Sequence, residues 1–393
     1  MKMNVPIART SLLDTEIQSV LEPLKSGWLV QGPKVAEFES KWSNFTGSKN
    51  SLAVTSCTTA LHLSLAALEF GPGDEAIVPA FTWISTANVV EHLGGKVVFC
   101  DIDPLTFNID VSKIESKITS KTKVILPVHL FGLSADMNPI NEIAKRHDLW
   151  VVEDAACGFG AKYYGEHVGT LGTTGCFSFH PRKAITTGEG GMVTTSDAEL
   201  AEKIKCLRDH GATMSDLQRH LGAKPYLLAD HPEAGYNQRM TDIQGALGSA
   251  QMDRAEEIIE ERQRLARVYE NAFAGLDWLR TPTCPDEYSH GYQSYACMYR
   301  PQVANLSGIN AVNEARNSWM DSLQKDGIST RPATHAVHML SFYRNKYGLS
   351  PTDFPNAYIA NDCSISLPLF HGMTEIEQEY VIDKVLNTLN KQK

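Results

Sequence analysis

The sequence predicts an α/β fold: a mostly parallel, seven-stranded sheet flanked by helices, followed by a smaller C-terminal α+β domain. From about residue 50 to 195, short β-rich runs alternate with helical stretches, the pattern of strand–helix crossovers on a parallel sheet. Seven of these runs read as strands, at 52–55, 75–79, 96–101, 123–128, 149–154, 174–179 and 192–195. Beyond about residue 275 the texture changes to isolated strands near 292–300 and 364–367, then a terminal helix.

Ahead of the sheet, Asp14 opens a helix with Ile17, Val20, Leu21 and Leu24 on one face, ended by Ser26-Gly27. Between the strands lie amphipathic helices such as 140–146, with apolar residues at helical spacing. Residues 213–234, polar and carrying Pro225 and Pro232, read as an extended loop. From Gly245 to about Asn271 the chain reads as one or more long helices. Ala255, Ile258, Ile259, Leu265, Val268 and Tyr269 form the apolar stripe, opposite Glu256, Glu257, Glu260 and Glu261. That glutamate face reads as solvated surface rather than a metal site, the usual state of helical charge runs. The terminal helix opens with Thr374 and Glu377 in capping-box spacing.

With 393 residues the chain is too long for one small core. Hydrophobic residues at 42% and charged residues at 21% are those of an ordinary globular protein. A net charge of −10 argues against a nucleic-acid surface but leaves room for a local basic pocket. Eight cysteines include no Cys-x-x-Cys pair, so neither a zinc site nor a disulfide framework is indicated. Met1-Lys2-Met3-Asn4-Val5-Pro6 lacks the apolar region of a signal peptide. No apolar run approaches the roughly 20 residues of a membrane-spanning helix. The expectation is a cytoplasmic protein with no membrane partner.

Two strand ends carry chemistry. The run 149–154 closes on Glu153-Asp154, and 174–179 leads into Phe177-Ser178-Phe179-His180-Pro181-Arg182-Lys183 and the turn Gly188-Glu189-Gly190-Gly191. Ligands of parallel sheets bind outside the carboxyl ends of the strands, so Asp154 and Lys183 are placed for chemistry rather than packing. A lysine that can form a Schiff base and an aspartate that can hold a pyridinium nitrogen are what pyridoxal phosphate chemistry needs. With Ser56-Cys57-Thr58-Thr59-Ala60-Leu61 and Gly235-Tyr236-Asn237-Gln238-Arg239-Met240, these segments resemble the DegT/DnrJ/EryC1/StrS sugar aminotransferases, which have the type I fold of aspartate aminotransferase.

The resemblance implies a role for each motif residue. Lys183 forms the Schiff base with pyridoxal 5'-phosphate, and Asp154 pairs with the pyridine nitrogen. Thr58 and Thr59 cradle the phosphate at a helix start, where backbone N–H groups and the dipole favour an anion. Ser178 adds a hydroxyl, and Asn237 reaches across from a neighbouring subunit, which implies a homodimer with shared sites. Trp83 occupies the place of the aromatic that stacks on the cofactor ring. Cys157 stands where many members carry a glutamine near the phenolic oxygen, and a thiol is the weaker hydrogen-bond partner. Cys57 replaces a common glycine. On the substrate side, Trp28 and Gln31 belong to a segment that approaches the site, and Arg331, His335 and His338 to a loop bordering the sugar pocket. Arg331 is suited to a carboxylate or phosphate, or to a domain interface. Arg239 is either an anion contact or a subunit salt bridge. No metal is implied. The resulting division is 1–30, an N-terminal helix and active-site segment; 31–250, the large cofactor-binding domain; and 251–393, a linking helix and small C-terminal domain.

The implied reaction moves an amino group from L-glutamate to a keto- or aldehydo-sugar, most often a nucleotide-linked 4-keto or 3-keto sugar, for lipopolysaccharide or other cell-surface polysaccharide. A non-nucleotide acceptor, an oxidised octulosonic acid or a keto-inositol, fits the same motifs. A sugar 3-dehydratase of this fold would carry histidine in place of Lys183. A regulatory relative would have lost some of Lys183, Asp154, Ser178 and Asn237, all of which are present. A dinucleotide-binding protein is disfavoured, because no Gly-x-Gly-x-x-Gly follows the early strands.

Overall fold

The computed structural model describes residues 3–222, 224 and 226–388. Its central sheet has seven strands: β1 Asn50–Val54, β2 Glu75–Pro79, β3 Lys96–Cys100, β4 Thr122–Ile125, β5 Trp150–Asp154, β6 Thr174–Ser178 and β7 Gly191–Thr195. In space they run β1-β7-β6-β5-β4-β2-β3. The pairs from β6 to β3 are parallel, and β7 is antiparallel to both its neighbours, β1 and β6. Each strand foreseen in the sequence is present. They form because the runs are apolar on both faces: Ala76, Ile77 and Val78 of β2 are fully buried, as a sheet covered on both sides requires.

The N-terminal segment departs from its expectation. One amphipathic helix was expected; the structure has two short ones, Asp14–Ser19 and Leu21–Ser26, broken at Val20. Pro23 is the cause, since its ring would clash with the carbonyl of Ser19 in a continuous helix. The expected apolar face is also turned outward, with Ile17 48% and Leu24 50% exposed. Glu16 is buried instead, ion-paired to Arg254 at 2.5 Å, and this pair fixes the rotation of the segment.

The expected loop at 213–234 contains a short helix, Asp216–Leu221, started by a capping box between Ser215 and Gln218. Pro225 lies outside the described residues. The long helical stretch is two helices, Asp242–Met252 and Ala255–Phe273. Ile258, Ile259, Leu265 and Tyr269 are buried, while Glu256, Glu257 and Glu260 are exposed and Glu261 pairs with His371.

A second, antiparallel sheet joins Leu279–Arg280, Tyr295–Tyr299 and Ser364–Leu367. Tyr295, Tyr299 and Trp319 are fully buried around it. The helix Glu375–Thr388 begins with the expected capping box: Glu377 N–H donates to Thr374 Oγ1 at 3.2 Å, and Thr374 N–H to Glu377 Oε2 at 2.9 Å. A ladder of His335–Ala336 on Phe81–Thr82 ties the C-terminal part of the chain to the segment after β2. No helix among the described residues is long and apolar enough to cross a membrane.

Candidate active site

Strand β6 turns back into β7 through residues 179–190, and Lys183 rides on this loop. Phe179 closes its base, donating to Gly190 O at 2.9 Å and accepting from Thr187 N–H at 3.0 Å. Gly188 takes φ of +82°, a conformation open to glycine at no steric cost. Two amides from distant segments clamp the loop by its backbone. Gln251 accepts from Thr186 N–H (3.0 Å) and donates to Thr186 O (2.6 Å). Gln293 accepts from Ala184 N–H (3.1 Å) and donates to Arg182 O (2.7 Å). Gln293 is itself held by Arg262, whose guanidinium donates to Tyr292 O and Gln293 O; burial pushes that guanidinium down to about 10. Lys183 lies between Arg182 and Ala184, the two points that Gln293 holds. Its ammonium donates to Cys157 Sγ at 3.2 Å and is paired with no carboxylate among the described residues.

Asp154 ends β5 and is 4% exposed. Its Oδ1 accepts from Ala156 N–H at 3.1 Å and its Oδ2 from the Thr86 hydroxyl at 2.7 Å. No cation among the described residues pairs with it. Glu153 next to it is the reverse case: three backbone N–H groups, of Gly169, Leu171 and Gly172, and His129 saturate its carboxylate. A buried carboxylate is costly without a partner. Glu153 is thus satisfied within the chain, whereas Asp154 could take a cationic group brought by a ligand.

The phosphate turn opens the helix Cys57–Ala67. Ser56 caps it, accepting from Thr59 N–H at 3.1 Å, and Gly191 leaves space for the turn: a Cβ there would lie 2.4 Å from the Ser56 carbonyl carbon. Thr58 donates to Ser85 Oγ at 3.0 Å, and the Thr59 hydroxyl lies 2.9 Å from Ser56 Oγ. Cys57 is accommodated by turning inward, where its thiol donates to Cys176 O at 3.3 Å and burial pushes it well above the usual thiol range. Ser178 Oγ accepts from His180 N–H at 3.4 Å. Trp83 is 55% exposed, its ring 5.7 Å from that of His335. Asn237 is exposed and its side chain makes no hydrogen bond within the described residues.

The residues expected on the substrate side are distributed differently. Trp28 folds over Gly32, and its ring lies 5.1 Å from that of His220. Gln31, with its amide oxygen toward Arg208, accepts from that guanidinium at 2.9 Å. Arg239 is ion-paired to Asp209 of its own chain. Arg331 has its backbone tied to Ser366 (2.8 Å), while its guanidinium has no acidic partner among the described residues; burial and nearby Arg182 lower its pKa. His338 is fully buried, 5.0 Å from the ring of Phe354, and burial pushes it down to about 4. A substrate contact from His338 would need a side chain that the fold has closed over. Thr86, Gln251 and Gln293 escaped the sequence reading, because clamps between distant segments leave no local pattern.

These groups fit pyridoxal phosphate. A lysine without an ion pair, a buried carboxylate lacking a cation, and a hydroxyl-rich helix start meet its aldehyde, ring nitrogen and phosphate. Residues 11–386 match the model of the DegT/DnrJ/EryC1/StrS aminotransferase family. The chain belongs to that family. Among relatives, it is 38% identical to the GDP-perosamine synthase of Caulobacter vibrioides over 98% of both chains. It is also 38% identical to the spore coat polysaccharide biosynthesis protein SpsC of Bacillus subtilis, over 94% of this chain and 93% of SpsC. Among solved structures it superposes on Spr1654 of Streptococcus pneumoniae, described as a sugar aminotransferase, in its PMP form with a TM-score of 0.90. That match has 30% identity and covers 99% of this chain and 100% of Spr1654. Spr1654 is also known in a PLP form. As a DegT/DnrJ/EryC1/StrS family member the chain is an aminotransferase, and pyridoxal phosphate is the cofactor its site is built for.

Proposed function

We propose that the protein transfers an amino group from L-glutamate to the carbonyl carbon of a nucleotide-linked keto-sugar, for cell-surface polysaccharide. The observation that carries this is the pairing of two uncompensated groups at neighbouring strand ends: Lys183 on its clamped loop and Asp154 with no cation of its own. Bound pyridoxal phosphate would supply an electrophilic carbon for the incoming amine and a ring that takes up the electrons released when the C–H bond at the donor α-carbon is broken. Lys183 holds the cofactor until the donor amine displaces it; its freed amine then takes the proton from the donor α-carbon and returns it on the cofactor side. Asp154 keeps the ring nitrogen protonated by its negative charge. Thr58, Thr59 and Ser178 orient the phosphate, and Arg331 is the free guanidinium for a carboxylate or phosphate of donor or acceptor.

The nucleotide-linked acceptor is supported by the relative named GDP-perosamine synthase, and the polysaccharide setting by SpsC. A homodimer is supported by Asn237, whose exposed side chain has no hydrogen-bond partner among the described residues, and by the exposed apolar side chains Leu12, Leu13, Ile17, Leu24, Leu29 and Val30. All eight cysteines carry free thiols, which suits a reducing cytoplasm.

The test is the visible spectrum of the cofactor-loaded protein, recorded before and after L-glutamate and then with GDP-, UDP- and dTDP-linked and free keto-sugars. Glutamate should bleach the band near the cofactor's Schiff-base absorbance, and one sugar class should restore it. A band that glutamate leaves untouched would remove glutamate as donor. Restoration by free sugars alone would remove the nucleotide. Light scattering should give twice the monomer mass.

A further inference from the structure

The carboxylate of Asp154 is fixed from the segment 82–86 rather than from its own strand. Thr82, Thr86 and Asp154 are 1%, 0% and 4% exposed, so their polar atoms bond within the protein: to one another, to the backbone and, for Asp154, to the Cys57 thiol. Thr86 Oγ1 lies 2.7 Å from Asp154 Oδ2, 3.1 Å from Trp83 O and 3.2 Å from Thr82 Oγ1. The hydroxyl has one proton, and both Asp154 Oδ2 and Trp83 O can only accept it. The bond to the carboxylate is the shorter and is charge-assisted, so the proton belongs there. The Thr82 hydroxyl then donates to Thr86, and a relay runs Thr82 to Thr86 to Asp154.

We propose that Thr86 is a positioning residue for Asp154, setting the rotation of the carboxylate that meets the cofactor's ring nitrogen. Ala156 N–H donates to Oδ1, with the Cys57 thiol 3.9 Å from the same oxygen, and Thr86 donates to Oδ2, so the side chain cannot turn without losing a donor. The same short segment carries Trp83, whose ring flanks the site, and Ser85, which accepts from Thr58 of the phosphate turn. Thr82 is in turn paired to His335 in the ladder with the C-terminal part of the chain. A single helix start, Ser85–His92 with its lead-in, therefore holds in one register the residues that meet the ring face, the phosphate end and the ring nitrogen. This inference rests on the role proposed above for Asp154.

The experiment compares Thr86→Val, Thr86→Ser and Asp154→Ala with the parent protein. Apo forms are titrated with pyridoxal phosphate, and the ratio of the two visible bands of the bound cofactor is read at one fixed pH. Valine keeps the shape of threonine and removes the donor; serine keeps the donor. Loss of one hydrogen bond to a charged group should weaken cofactor binding about tenfold in Thr86→Val and change its band ratio, while Thr86→Ser stays within about twofold of the parent. Should Thr86→Val not fold, Thr86→Ala takes its place, against the same serine control. The proposal is overturned if the valine or alanine variant matches the parent in affinity and band ratio while Asp154→Ala alters both. If Asp154→Ala alters neither, the role of Asp154 itself falls and the proposal goes with it. If serine fares as badly as valine, the hydroxyl is not what matters, and the proposal is overturned on that ground.

Discussion

The groups that position Lys183 and Asp154 find their partners within one chain; other residues expected at the site, Asn237 for the cofactor and Arg331 for the substrate, have no side-chain partner among the described residues. Gln251, Gln293 and Arg262 hold the Lys183 loop through buried hydrogen bonds, and Thr86 and Ala156 hold Asp154. Elsewhere Trp83 and Asn237 stand exposed, Arg331 lacks an acidic partner among the described residues, and a run of apolar side chains near the N-terminus faces outward. The difference separates two jobs. Chemistry common to both half-reactions uses groups set in place in advance, which need no reorganisation when the cofactor reacts. The exposed groups are left for a ligand or a second subunit to complete, as the proposed function requires.

The sharpest way to break this comparison is to remove the group at its centre. Lys183→Ala should bind pyridoxal phosphate without a covalent link and lose glutamate-dependent turnover by more than about a thousandfold, the loss of nucleophile and proton carrier together. Substantial turnover in that variant, followed as 2-oxoglutarate release, would end the assignment of Lys183.

A smaller effect tests whether the preset loop matters. Gln251→Ala and Gln293→Ala each free one backbone anchor of the loop and leave Lys183 in place. Misplacement on the ångström scale can cost up to about a hundredfold, so each variant should lower kcat by about ten- to a hundredfold. KM for glutamate should change far less. Parent-like kcat values would mean that the loop needs no clamp.

On the acceptor side, the two arginines make a matched pair. Arg331 has no acidic partner and Arg239 is already paired with Asp209. Arg331→Ala should raise KM for glutamate or for the sugar by about tenfold, the value of one charge-assisted contact. Arg239→Ala should leave both KM values near those of the parent and lower the thermal midpoint instead. The reverse outcome would exchange their roles.

How far the sequence could be read follows the same divide. All seven central strands were legible, because each is an apolar run bounded by turn residues and buried on both faces. The placement of Lys183 and Asp154 at strand ends was legible in the local pattern, whereas Thr58 and Ser178 were singled out only by the family resemblance. Thr86, Gln251 and Gln293 were legible in neither way. Their partners lie 68, 65 and 109 residues away in the chain, and a polar residue that bonds across such a distance looks like any other. The N-terminal stripe misled for a related reason: helical spacing shows that Ile17 and Leu24 share a face, but the Glu16–Arg254 pair decides which face turns inward. The cap that makes a helix of 216–221 was available in Ser215 and Gln218, and was masked by the polar composition around it.

His338 gives the smallest effect and the finest test of the acceptor side. It lies in the loop resembling a sugar-pocket border, yet it is fully buried, packed against Phe354. Burial pushes it down to about 4. An unfolded chain takes up a proton at this residue as pH falls through about 6.5, whereas the folded protein does not until about 4. Stability from this site is therefore complete above pH 6.5 and is lost as pH drops toward 4. His338→Leu removes the proton uptake and a buried imidazole. It should spare the fold on the order of 1–2 kcal/mol of the destabilisation between pH 7 and pH 5. The thermal midpoint should fall less between those values than in the parent, although the buried His167 and His290 continue to contribute acid sensitivity. KM for the sugar should not move. A raised KM with an unchanged pH profile would return His338 to the pocket and show that this loop opens when the acceptor binds.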